Sequence, residues 1–199
     1  MTFWDVCAPF YDLVESINGR AYNAMLKTVR DLIPQESSVL EVAAGTGSIS
    51  LAASNKAERV LCTDISERML NISRRKLKHC SNTQFGIRSI YDLKESDSSF
   101  DIVIAGHILH LIDEPERAAV ELKRVANKSV VLPMSFTKDL HGMMKIGIEI
   151  YRLFGFNPKI EFNMEDYAVF LPKIGFDNCE MIKIEGSIPI AVAVWEKNS

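Results

Sequence analysis

The run Val39-Leu40-Glu41-Val42-Ala43-Ala44-Gly45-Thr46-Gly47 constrains the fold more than any other part of the chain. Ser38 to Val42 reads as a buried strand. Ala43 to Gly47 reads as a turn that hands the chain straight to a helix ending near Ser54. Glycines belong at such a turn because the backbone bends tightly and a ligand can approach where a Cβ would clash. The first turn of the following helix presents N–H groups that have no partner within the helix and suit a carboxylate. An acid at Glu41, inside the strand end, calls for a positive group nearby, such as an amino-acid ammonium. A zwitterionic amino-acid tail satisfies both features.

The same alternation of short β-rich runs and helical periods continues along the chain, which predicts a sheet covered by helices on both faces. Residues 1–34 read as a helical N-terminal lid, with Tyr22, Met25, Leu26, Val29, Leu32 and Ile33 at helical spacing before Pro34. Arg59 to Asp64 is a second strand, and Ser66 is the N-cap of the helix after it. Thr83 to Arg88 and Phe100 to Ala105 are strands three and four, the latter nearly all apolar as befits a strand buried on both faces. Asp113-Glu114-Pro115 opens a helix, and Ser129 to Met134 is strand five. Helices over 139–154 and 165–174 follow, then strands Asn178 to Glu185 and Ile188 to Glu196 around a tight turn at Gly186-Ser187. The expected fold is a single α/β domain over 1–199: a Rossmann-like, doubly wound, seven-stranded sheet with an antiparallel C-terminal hairpin. Residues 139–175 form a substrate cap within that domain.

Composition narrows the class of partner. With 199 residues, 47% hydrophobic and 25% charged, the chain can build a substantial core. A net charge of −3 gives no basic excess for neutralising phosphates, so nucleic acid is not expected as a partner. The start lacks a basic and apolar leader, and no apolar stretch approaches the ~20 residues that cross a bilayer. A cytoplasmic protein without stable membrane insertion is expected. The cysteines at 7, 62, 80 and 179 are scattered and read as free thiols, and no ligand cluster suggests a metal.

Asp64 stands at the end of strand two, where a carboxylate in a doubly wound fold accepts hydrogen bonds from ribose hydroxyls. Strand four ends at Ala105-Gly106, where small side chains leave room for a ligand. With these positions in hand, VLEVAAGTG resembles motif I of class I S-adenosylmethionine-dependent methyltransferases, and Asp64 in LCTDISERML resembles motif II. SSFDIVIAGHILHLIDEP resembles motif IV and its loop, and LPKIGFDNCEMIKIEG with AVAVWEK is similar to the closing helix and hairpin of that family. The opening WDVCAPFYDLV also resembles the start of menaquinone- and phospholipid-type methyltransferases.

The resemblance implies S-adenosylmethionine as cofactor and methyl transfer to an O, N or C atom of a small, partly apolar acceptor. Glu41 would face the methionine ammonium. Ala43, Gly45, Thr46 and Gly47 would form the turn under the methionine and ribose. Asp64 would hold the ribose hydroxyls, with Ile65 and Met69 packed on the adenine. Ala105 and His107 would lie beside the methionyl group. The sequence departs from the family at Ala43, where a glycine is usual, and at Ser89-Ile90, where an acid usually meets the adenine amino group; Asp92 is the nearby alternative.

The sulfonium is already an activated donor, so the protein has chiefly to align acceptor and methyl group. His107 is the first candidate for a base where the acceptor must lose a proton. Tyr11, with Asp12, either closes over the donor or simply packs an amphipathic segment. The apolar 139–154 helix is core, a homodimer contact, or a cap lining an apolar pocket with Phe3, Trp4 and Phe10. Two other readings compete. One is a donor-binding scaffold without catalysis. The other is an NAD-dependent oxidoreductase, weakened because Ser50 stands where the third glycine or alanine of the fingerprint belongs.

Overall fold

A computed structural model describes residues 18–138, 140–153 and 156–197. In chain order the elements are α1 (Gly19–Leu32), β1 (Ser38–Glu41), α2 (Ser48–Ser54), β2 (Arg59–Asp64), α3 (Glu67–Lys76), β3 (Thr83–Ile87) and β4 (Phe100–Ile104). They continue with α4 (Pro115–Val125), β5 (Ala126–Ser135), α5 (Gly142–Leu153), α6 (Met164–Lys173), β6 (Glu180–Ile184) and β7 (Ile190–Glu196). One seven-stranded sheet runs β3-β2-β1-β4-β5-β7-β6. The first five strands are parallel, and β7 pairs antiparallel with both β5 and β6. From β1 the chain steps outward to β2 and β3, then crosses back to β4 on the other side. That reversal opens a crevice beyond the carboxyl ends of β1 and β4, where open α/β sheets take ligands.

The core divides by the alternation of side chains along each strand. Val39, Ile102 and Ile104 point to one face and pack with Met25 and Val29 of α1 and Ile49 and Ala53 of α2. Leu40, Val103 and Ala105 point to the other, against Leu122 of α4 and Tyr167 and Leu171 of α6. The sequence supplies the helix starts. Ser66 accepts the Met69 N–H, Pro115 occupies the first turn of α4, and Asn163 and Asp166 form a reciprocal capping box on α6.

Several boundaries differ from those the sequence predicts. β5 is longer at both ends, Ala126 pairing with Phe100 of β4 and Ser135 with Ile190 of β7. The helix expected from residue 139 begins only at Gly142, whose φ is +60°. The tight turn expected at Gly186-Ser187 is a wider loop between Ile184 and Ile190. The Asn18 side chain donates to the Ile188 carbonyl at 2.6 Å and accepts the Ile188 N–H at 3.2 Å, so that residue is held by α1's cap instead of by the hairpin.

Of the expected N-terminal lid, α1 packs along a sheet face, while residues 1–17, including Tyr11, Asp12, Phe3, Trp4 and Phe10, lie outside the described residues. Of the expected cap, α6 is built into the core, with Tyr167 fully buried and its hydroxyl donating to the Leu132 carbonyl at 3.1 Å. Ile146 of α5 is 60% exposed.

Candidate functional site

A cavity opens beyond the carboxyl ends of β1, β2 and β4, lined by Ala43, Gly45, Asp64, Ile65, Met69, Gly106, His107, Ile108 and Leu111. Its floor is the turn after β1. Val42 N–H donates to Ile104 O, and Ala44 N–H to Thr63 O, both at 2.8 Å, so the turn is pinned between the two neighbouring strands. From α3 the Ser73 hydroxyl donates to the Gly45 carbonyl at 2.8 Å, and Lys76 Nζ donates to Thr46 Oγ1 at 3.0 Å and Ser48 Oγ at 2.9 Å. Ala43, Gly45 and Gly47 have φ of 55°, 54° and 80°, the left-handed region, which suits glycine and tolerates a small residue at strain.

Asp64 is the chemical centre of this wall. It is buried, and its two carboxylate oxygens accept the Gly45 and Ser66 N–H groups, each at 2.8 Å. Those bonds lock the carboxylate plane against the turn and the start of α3. A vicinal diol offered from the cavity would meet a fixed pair of acceptors. Ile65, 64% exposed, and Met69 supply an adjoining apolar surface.

Several other predicted positions fall elsewhere. Glu41 does not line the cavity. Strand alternation turns its side chain to the α1/α2 face, where it is buried and accepts the Ser50 hydroxyl. The Cys62 thiol is pushed up to about 12, first by burial and then by the Glu41 charge, with Asp64 adding less. Thr46 is buried under Lys76, and Gly47 packs on Ser73 and Leu77, both behind the turn. Ala105 belongs to the core, and its neighbour Gly106 faces the cavity instead. Ser89 bridges to Asp92 in a turn, Ile90 is buried in the core, and the Asp92 carboxylate pairs with Lys94, so none of the three lines the cavity. The loop carrying them is tied to α4 by Arg124, which donates to Leu93 O and Glu95 O at 2.8 Å, a long-range restraint with no sequence motif. Ile108 and Leu111 join the wall unanticipated, while Gly106, read as leaving room at the end of β4, does line it.

His107 does line the cavity. Its φ is +53°, its N–H donates to Pro133 O at 2.8 Å, and its Nδ1 accepts the Ser135 N–H at 3.2 Å. Tyr22 of α1 stacks on the ring at a centroid distance of 6.4 Å. Burial lowers the imidazole from the ordinary 6.5 to about 4. His110 is lowered to about 3, by burial first and by His107 second. Because Nδ1 already accepts a backbone N–H, the lone pair that a base would need faces β5 rather than the cavity.

Both rings therefore resist protonation when folded and accept a proton near 6.5 when unfolded. The unfolded chain binds more protons between that value and the folded ones, so stability is complete above pH 6.5 and falls as the solution is acidified. The urea midpoint is expected to be lower at pH 5 than at pH 7, with a smaller drop in His107→Gln. Identical drops in parent and variant would show that His107 is not buried as a neutral ring.

Among the described residues no group of three or more His, Cys, Asp or Glu side chains is placed to hold a metal, and no helix is long and apolar enough to cross a membrane. A family model described as a methyltransferase domain matches residues 40–132. Demethylmenaquinone methyltransferase of Clavibacter sepedonicus is 37% identical over 87 residues, 44% of this chain and 36% of that protein. The ubiquinone/menaquinone biosynthesis C-methyltransferase UbiE of Rickettsia prowazekii is 26% identical over 159 residues, 74% of this chain and 63% of the relative. The chain thus spans less than two thirds of the length of either relative. Among solved structures, magnesium protoporphyrin IX methyltransferase of Synechocystis, with bound SAH, superposes with a TM-score of 0.66 at 19% identity, covering 89% of this chain and 84% of that one. That likeness is one of fold.

Proposed function

We propose that this chain, whose residues 40–132 match a methyltransferase domain, is a class I S-adenosylmethionine-dependent methyltransferase that transfers a methyl group from S-adenosylmethionine to an O, N or C atom of a small acceptor bearing apolar surface. The observation that carries this reading is the Asp64 carboxylate, buried at the carboxyl end of β2 and oriented by two backbone N–H groups beside the left-handed turn. Those residues fit the donor. Asp64 accepts from the ribose hydroxyls, Ile65 and Met69 pack on the adenine, and Ala43 and Gly45 let the chain approach closely. When bound, S-adenosylmethionine supplies a methyl group already activated as a sulfonium. The chain's part is to hold the donor, exclude water and place the acceptor in line at ~3–3.5 Å.

The apolar character assigned to the acceptor rests on Ile108 and Leu111 beside His107. The names of the quinone-methylating relatives lend it weight. The net charge of −3 argues against a nucleic acid in that role. We take the chain as one domain working in the cytoplasm. Calorimetric titration with S-adenosylmethionine, S-adenosylhomocysteine and NAD tests the reading. Micromolar binding of both adenosyl compounds and none of NAD is expected. Binding of NAD, or of none of them, would overturn it.

A further inference from the structure

One side chain that lines the cavity, His107, carries a polar atom not used in holding the donor. His107 Nε2 is buried and has no hydrogen-bond partner among the described residues. Its ring partner Nδ1 accepts the Ser135 N–H at 3.2 Å, which places the proton of the neutral ring on Nε2. The residue is held on β5 by its backbone N–H to Pro133 O and by the Ser135 N–H to Nδ1, and the Tyr22 ring of α1 stacks on the imidazole. Its backbone is left-handed, at φ +53°, which is uncommon for a residue that carries a side chain. Buried donors without a protein partner are rare, and a ligand that completes them is one physical reason to keep one.

Position says which ligand. Asp64, Ile65 and Met69 lie on the β2 side of the crevice, whereas His107 is fastened to β5, on the far side of β1 and β4. The nucleoside end of the donor belongs to the first side, so His107 borders the end from which the methyl group leaves. Its neighbours there, Ile108 and Leu111, are apolar.

We propose that His107 is a specificity-determining residue for the methyl acceptor: its Nε2–H, held as a fixed neutral donor, bonds an oxygen atom of an otherwise apolar acceptor and orients it. The inference rests on the reading of this cavity as the methyl-donor site. It replaces the general-base role with a positioning one, because the basic lone pair is turned away from the cavity.

The test uses the full chain and ring nitrogen–proton NMR at pH 7. The free protein is compared with protein loaded with S-adenosylhomocysteine, then with added naphthohydroquinone or catechol as oxygen-bearing probes and naphthalene as the oxygen-free control. His107 is expected in the Nε2–H form, and that proton is expected to move downfield only with an oxygen-bearing probe. His107→Leu should weaken the binding of that probe about three- to tenfold while S-adenosylhomocysteine binds as before, and His107→Gln should restore most of the loss. The Nδ1–H form, a shift produced by S-adenosylhomocysteine alone, no shift with either probe, or unchanged probe binding in His107→Leu would each overturn the inference. Failure of S-adenosylhomocysteine to bind the parent would instead remove the donor site itself, and the two failures are told apart by that first titration.

Discussion

Asp64→Ala is expected to weaken binding of S-adenosylhomocysteine by about 3 kcal/mol, roughly two orders of magnitude in affinity. Two effects add. Ribose hydroxyls entering a largely dry site lose a charged acceptor, and hydrogen bonds to charged groups carry about 1.5–3 kcal/mol. The turn also loses its anchor, since Asp64 accepts both Gly45 N–H and Ser66 N–H. Asp64→Asn should rescue little, because its NH2 would face one of those two N–H donors. Calorimetry on parent and both variants measures the effect. Parental affinity in Asp64→Ala would remove Asp64 from the donor site.

Gly47→Val should lower stability by about 3 kcal/mol, through two terms of similar size. A left-handed backbone is unfavourable for an L-residue by about 1–2 kcal/mol, and Gly47 has φ +80°. A Cβ there would also stand 2.9 Å from Leu77 Cδ1 and 3.0 Å from Ser73 Cβ, an overlap of the kind that costs about 1–3 kcal/mol. For a chain of this size the melting temperature should drop by roughly 10 °C. Gly19→Ala is the control, because nothing lies within 4 Å of the added Cβ and its φ is not positive; it should change stability by less than about 1 kcal/mol. Equal melting temperatures for Gly47→Val and the parent would mean that the turn is not held in its left-handed form.

How far the fold and the site could be read from sequence depended on whether the deciding interaction was local. Gly45, Asp64, Ile65 and Met69 were legible because each follows directly from a strand end, and they do line one cavity. Glu41 stands one strand-alternation step away from where its motif position suggested, pointing at Ser50 across the α2 face. Gly106 lines the cavity where Ala105 was expected; a Cβ at Gly106 would stand 2.8 Å from Ile49 Cδ1, so the chain there is bare backbone. The loop after β3 was not legible, since its path is set by Arg124 from α4. The hairpin turn was misjudged because Asn18, 170 residues away, captures Ile188, and because a Cβ at Gly186 would lie 2.5 Å from the Ala21 Cβ. Gly186 serves close passage of α1 rather than a two-residue turn.

The strand order carries a consequence for biosynthesis. β7 lies between β5 and β6, so the ladder edge of β5 from Ser129 to Ser135 has its partner only in residues 190–196. A chain emerging from the ribosome can assemble the five parallel strands and still present a bare, apolar edge through the whole synthesis of 136–189. Such an edge invites pairing with another chain. Nascent molecules stalled in that interval should be the ones that chaperones bind and that aggregate when chaperones are scarce.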